Sequence, residues 1–199
     1  LLTTEFTMQV LSTVPRGLGS IGYNETTKVI RTLSLGKLLS TPIAPLYPLH
    51  FFRLARKASA VSLHLPYPVI DAATLIALPK TTPLIIHYYA DITNQATAAK
   101  LLSPLLHHTL KRADCIIVSN PAFIEYSPWL RTYKNRCHVV PFSIDLKAWQ
   151  RRVNQDLVHQ IKEAHGNFLL SVGRLVPYKG FEYLIRALEL LPDTKLVII

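Results

Sequence analysis

The chain has 199 residues, 49% of them apolar and 17% charged, and a formal net charge of +10. That balance describes a folded globular chain with room for one large or two modest domains, and a disordered chain is not expected. No apolar run approaches the ~18 residues a membrane span needs, and "LLTTEFTMQV" lacks the basic-then-apolar order of a secretory leader.

The cationic excess lies in the first half, where residues 1 to 113 carry eleven Lys/Arg against four Asp/Glu, while residues 114 to 199 carry eleven against eight. Nucleic acid, an anionic membrane surface and phosphorylated ligands would each suit such an excess. Zinc-finger spacing, an aromatic RNA-binding signature and a dense basic tail are all missing, so nucleic acid is not an expected partner.

In chain order, "TTEFTMQVLSTVP" reads as a strand. "GLGSIG", with Gly17, Gly19 and Gly22, matches the G-x-G-x-x-G dinucleotide pattern. However, Pro15 and Arg16 separate it from the strand, and no acid stands between Glu25 and Asp71 to hold a ribose. A flexible loop is the expectation there. Segment 46–57, "LYPLHFFRLARK", mixes aromatic rings with Arg53, Arg56 and Lys57. It reads either as a surface helix covering a sheet or as a helix lying on an anionic membrane.

Short runs rich in Val and Ile follow at 60–65, 83–89, 114–119, 138–142, 168–173 and 195–199, with helix-length segments at 91–112 and 181–191. Apolar on both faces, they suit buried parallel strands joined by crossover helices, hence an α/β layered fold. Cys115 and Cys137 lie in or beside these runs and read as buried free thiols, which fits a reducing compartment. His64, in "HLPYP", ends a strand where open α/β sheets bind ligands, and is read as a cleft contact or as part of a turn. Asp91 precedes a helical segment and is a candidate N-cap.

The polar segment 145–167 reads as a solvated helix or connector, placing a boundary near Pro141 to Asp145 and dividing the chain into 1–144 and 145–199. Beyond it, Phe181, Leu184, Ile185, Leu188 and Leu191 form one helical stripe, so 168–199 is expected to be a βαβ unit. The turn "VGRLVPYKGF" sets Arg174 and Lys179 between Gly173 and Gly180, just ahead of that helix. It is not a Walker loop, because no Ser or Thr follows Lys179 to hold magnesium. Arg nevertheless offers a planar fork and Lys a compact charge, a pair suited to phosphate oxygens; the alternative is a solvated basic loop.

The string Gly173-Arg174-Leu175, then Lys179-Gly180 and "FEYLIRALELL", resembles the G-R-L-x-x-x-K-G stretch opening the donor domain of glycosyltransferase family 4, the group 1 glycosyltransferases of the GT-B fold. "ADCIIVSNPAFIEYSPWLRTYKNRCHVVPFSID" (113–145) is similar to that family's segment ending in P-x-G-[IV]-D. "VSLHLPYP" (61–68) resembles its His-containing strand end, and "YADITNQ" (89–95) its H-S-D-I-x-x-Q stretch. The resemblance covers residues ~60 to 199 in the family's order.

What it implies is an N-terminal acceptor-side Rossmann-like domain followed by the first βαβ unit of a nucleotide-sugar domain. Gly173, Arg174, Lys179 and Gly180 would contact the diphosphate of a nucleoside-diphosphate sugar, the donor substrate, held between two such domains. His87, Tyr89 and Asp91 would be catalytic, and His64, Ser119 and Ser143 would border the acceptor. The implied reaction is retaining hexose transfer, without metal or other cofactor, to a glycan or lipid-linked acceptor in cell-surface polysaccharide synthesis. The expected location is cytoplasmic, peripheral at the inner membrane face through Arg53, Arg56 and Lys57.

Tyr89 stands where the family has His, and Ser143 where it has Gly. His87, two positions earlier, faces the same side of the strand and either stands in for that His or is a core histidine. The family's acidic E-x7-E region falls beyond Ile199 and its glycine-rich loop before Leu1. The chain is therefore expected to be a fragment, and a catalytically inactive binding module of the same fold is the alternative.

Overall fold

The structure is a computed structural model that describes residues 6–24, 26–38, 41–91, 96–149 and 154–199. Its backbone divides into two compact units, Leu1–Ser143 and Ile144–Ile199.

The first unit holds β1 (Gln9–Thr13), β2 (Ser20–Asn24), β3 (Thr27–Thr32), β4 (Lys37–Leu38), β5 (Thr41–Pro42) and α1 (Tyr47–Ala55). These are followed by β6 (Val61–Leu65), α2 (Pro68–Ala77), β7 (Leu84–Tyr88), α3 (Ala96–Arg112), β8 (Cys115–Val118), α4 (Ala122–Tyr126) and β9 (Cys137–Val139). Strands β6, β7, β8 and β9 form one parallel sheet in that order. Because each strand but the last is followed by a helix that returns the chain, their starts share one edge and their ends the other.

The sequence patterns suggest strands apolar on both faces, but the structure covers one face more completely. Tyr47 and Phe51 of α1, Ile70 and Ala73 of α2, and Leu106 and Leu110 of α3 pack with Leu63, Leu65, Leu84, Ile86, Tyr88, Ile116 and Val118 in a single core. On β6 this makes a strict alternation, with Leu63 and Leu65 at 3% and 1% exposure while Ser62 and His64 are open. The "VSLHL" alternation is thus the trace of a half-covered strand rather than of a fully buried one. Pro68 in the first turn of α2 presets the helical φ where its missing N–H costs nothing.

The glycines of "GLGSIG" serve neither a helix start nor a free loop. Gly22 lies inside β2, which pairs antiparallel with β3, and β3 in turn pairs parallel with β1. Gly19 has φ +86°, and a Cβ there would stand 2.2 Å from the Arg31 carbonyl, so the residue allows the chain to close against β3. No helix follows to offer amides to a pyrophosphate, which removes the basis of the dinucleotide pattern.

The second unit comprises α5 (Leu146–Trp149), α6 (Gln155–His165), β10 (Phe168–Ser171), α7 (Phe181–Ala187) and β11 (Lys195–Ile198). The side chain of Asn154 accepts the Leu157 N–H at 3.2 Å and caps α6. Strands β10 and β11 are parallel neighbours connected through α7. That helix is shorter than the 181–191 stripe suggests and tightens into a 3-10 turn at Leu188–Leu190. Pro192 is the cause: its ring disfavours helical backbone at Leu191, which has φ −133° and ψ 65°. Among the described residues, none of this unit is buried.

Candidate functional site

At the end of the parallel sheet, the register pairs His64 of β6 with His87 of β7, and His87 with Ile117 of β8. Paired residues of parallel strands face the same side, so the two imidazoles lie over one another with centroids 4.8 Å apart and planes 5° from parallel. Tyr89, one residue past β7, turns its phenol onto Nδ1 of His64 at 2.6 Å and stacks at 5.6 Å. Phe142 continues the series, 5.9 Å from Tyr89 and inclined by 18°. The result is a graded column of rings: His87 is half-buried, Tyr89 is 38% exposed and Phe142 73%. Burial, and then the neighbouring imidazole of His64, hold the His87 pKa below its ordinary value. His87 therefore presents a neutral ring at neutral pH.

Asp91 has a different task at this edge. Its Oδ1 accepts the Tyr88 hydroxyl at 2.7 Å and the Ser127 hydroxyl at 2.7 Å, tying the end of β7 to the chain beyond α4. Both donors are buried, at 1% and 2% exposure, so the carboxylate satisfies two groups that would otherwise be stranded. Whether Asp91 also caps the following helix involves residues 92–95, the end of the "YADITNQ" stretch, which lie outside the described residues. Ser119 directly follows β8, and Ser143 is exposed. Cys115 and Cys137 are free and half-buried, with burial raising both thiol pKa values.

In the second unit, the turn from β10 to α7 gathers its cations on one residue. Arg174 Nη2 donates to the Tyr178 hydroxyl at 2.8 Å, and Lys179 Nζ lies 5.8 Å from the centre of the same ring. The glycines permit this. The Gly173 N–H donates to the Ile199 carbonyl at 2.7 Å, and a Cβ on Gly173 would press to 3.3 Å from Phe181. Gly180 has φ 69° and ψ 22°, the left-handed conformation that reverses the chain into α7. Arg174 and Lys179 are both exposed, with no carboxylate partner within salt-bridge distance among the described residues.

The structure thus brings together His64, His87 and Tyr89, gives Asp91 a bracing role, and groups Arg174 with Lys179 between Gly173 and Gly180. Sequence patterns miss Tyr178, which sits inside the recognised string, and Phe142, which is 53 residues from the Tyr89 it stacks on. An aromatic residue between two loop cations was the available signal for Tyr178; for Phe142 there was none.

Comparison with known proteins gives two relatives. Over 171 residues the chain is 30% identical to the O-antigen chain mannosyltransferase C of Escherichia coli, covering 86% of this chain and 45% of that protein. Over 139 residues it is 30% identical to the D-rhamnosyltransferase WbpZ of Pseudomonas aeruginosa, covering 70% of this chain and 36% of that protein. No family model matches the chain. The chain spans less than half the length of these relatives, and both carry the names of sugar transferases.

Proposed function

We propose that the chain is part of a glycosyltransferase of the GT-B, family 4 type, moving a hexose-type sugar from a nucleoside diphosphate to a glycan or lipid-linked acceptor in cell-surface polysaccharide synthesis. The observation that carries this reading is the pair of exposed cations, Arg174 and Lys179, assembled on Tyr178. Breaking the bond between the sugar and its phosphate builds negative charge on the departing diphosphate. Fixed cations aimed there favour the transition state over the ground state. The names of the two relatives support the same class of reaction.

The distribution of charge divides the work. The segments that leave the four parallel strands, 66–67, 89–91, 119–121 and 140–143, contain no Lys or Arg. A diphosphate finds no counter-charge on them, whereas residues 173–180 provide two. In this reading the second unit binds the donor, and the His64, His87 and Tyr89 edge, with Ser119 and Ser143 beside it, serves the acceptor. The neutral His87 ring is in the state that accepts a hydrogen bond from an acceptor hydroxyl. The transfer retains configuration, and the two cations supply the charge that a metal ion supplies elsewhere.

The test is transfer of radiolabelled hexose from a nucleotide sugar to a glycan acceptor by the protein that carries this chain. Arg174→Ala and Lys179→Ala are each expected to lower turnover by about a hundredfold; unchanged turnover in both would remove the diphosphate assignment. A second reading, favoured by the lack of buried side chains among the described residues of Ile144–Ile199, is that this chain alone is a binding module without turnover. Glycan binding by the 199-residue chain with no transfer would select it.

A further inference from the structure

Charge in the first unit is sorted between the two ends of its parallel sheet. The segments that lead into β6, β7, β8 and β9 are 56–60, 78–83, 111–114 and 131–136, and the parallel register places them at one edge. Together they hold eight Lys or Arg against a single carboxylate, Asp114, a net of +7 within a chain of +10. The opposite edge has no cation and one Asp in the corresponding segments.

The basic edge is held in place by hydrogen bonds. Arg112 Nη2 donates to the Lys80 and Thr82 carbonyls at 2.8 and 2.5 Å, and Arg136 Nη1 to those of Ala113 and Lys111 at 2.8 and 2.9 Å. Asp114 is already engaged, accepting the Leu84 N–H at 2.8 Å and pairing with Arg112 at 3.3 Å. Lys57, Lys80, Lys111 and Lys134 remain exposed. Beside them, the ends of α1 and α2 enclose a hollow of about 450 Å³ whose walls include Phe52, Arg56, Ile76 and Pro79. Of these, Phe52 and Ile76 are 39% and 73% exposed.

We propose that this edge docks the chain on an anionic phospholipid bilayer, with the lysines toward headgroup phosphates and Phe52 and Ile76 entering the interface. The contact extends the 46–57 helix expected from the sequence: the fold adds the cations of three further segments to it. Nucleic acid shares the charge complementarity but not the apolar rim. A stacking base would have to share the ring of Phe52 with the Arg56 guanidinium, which lies 5.3 Å from its centre. The inference stands apart from the transfer reaction. His64 and Tyr89 lie a strand length, roughly 16 Å, from the docked edge, which suits a glycan extending from the membrane better than its lipid anchor.

The experiment is co-sedimentation of the 199-residue chain with vesicles of phosphatidylcholine alone, or of phosphatidylcholine and phosphatidylglycerol in equal parts. Binding is expected only to the mixed vesicles and should weaken with salt. Lys57→Glu with Lys80→Glu should weaken it by at least about tenfold, while Lys162→Glu with Arg186→Glu, the same charge change in the second unit, should leave it intact. Circular dichroism checks that both variants fold. Phe52→Ser with Ile76→Ser should also weaken binding at unchanged charge. Equal binding to both vesicles, or equal loss in the two charge variants, would overturn the proposal. So would binding of a duplex oligonucleotide by a chain that ignores the vesicles.

Discussion

Tyr178 decides how the two cations of the second unit are presented. Its hydroxyl holds Arg174 and its ring faces Lys179, so Tyr178→Phe removes one anchor and keeps the other. Removing a single exposed hydrogen bond is worth about 1 kcal/mol. The variant is therefore expected to weaken donor binding only a few-fold in KM, well short of the effect of removing either cation. A Tyr178→Phe loss equal to that of Arg174→Ala would instead give the phenol a direct part in catalysis. His87 yields a prediction independent of substrate. Its imidazole pKa is lowered from 6.5, so it should still be mainly neutral where a free imidazole is half protonated. The folded state therefore loses stability as falling pH forces a proton onto the ring. Titration of the imidazole carbon protons by NMR checks this, and a midpoint at or above the free value would contradict it.

Among the elements, α2 carries a buried acid that the proposed chemistry does not use. Asp71 is 4% exposed, its Oδ1 has no hydrogen-bond partner among the described residues, and its pKa is raised to about 6. Burial raises it and a hydrogen bond from Thr109 opposes the rise; the outcome shows that desolvation wins, even in the first turn of a helix where a negative charge is favoured. The folded pKa lies above the unfolded one, so ionisation destabilises the fold. The penalty is absent below about pH 4, grows between about pH 4 and 6, and reaches about 3 kcal/mol above that. Asp71→Asn should accordingly add about 1–3 kcal/mol at neutral pH and almost nothing near pH 4, as urea unfolding at the two pH values would show. A gain of equal size at both would mean that packing, not charge, sets the effect.

The β-strands 61–65, 84–88, 115–118 and 137–139 were legible because Val and Ile runs between turn signals leave few alternatives. The antiparallel pair β2 and β3 was not, because glycines that close a chain against a neighbouring strand look, in one dimension, like glycines that loosen a loop. The end of α7 is not legible for a local reason: its apolar stripe runs on past the point where Pro192 ends the helix. The cations of residues 173–180 stood next to each other in sequence and were found. The bracing of Asp91 was not, since Ser127 lies 36 residues away and only the completed fold brings the two hydroxyls to one carboxylate.

For the molecule as a whole, the two units differ in how they are built. The first has a continuous core of helices on a sheet, and the second has no buried side chain among its described residues. Amide hydrogen exchange should therefore be slow at Leu84, Ile86 and Ile116 and fast throughout α6 and α7. Uniform protection across both units would contradict this division. Whether residues 173–180 receive a diphosphate is decided by adding a nucleoside diphosphate to the isotopically labelled 199-residue chain. Amide shifts are predicted to move at Gly173, Arg174, Lys179 and Gly180, to saturate weakly, and to vanish in the Arg174→Ala, Lys179→Ala double variant. Shifts confined to other residues, or undiminished in the double variant, would mean that the diphosphate is not held by residues 173–180.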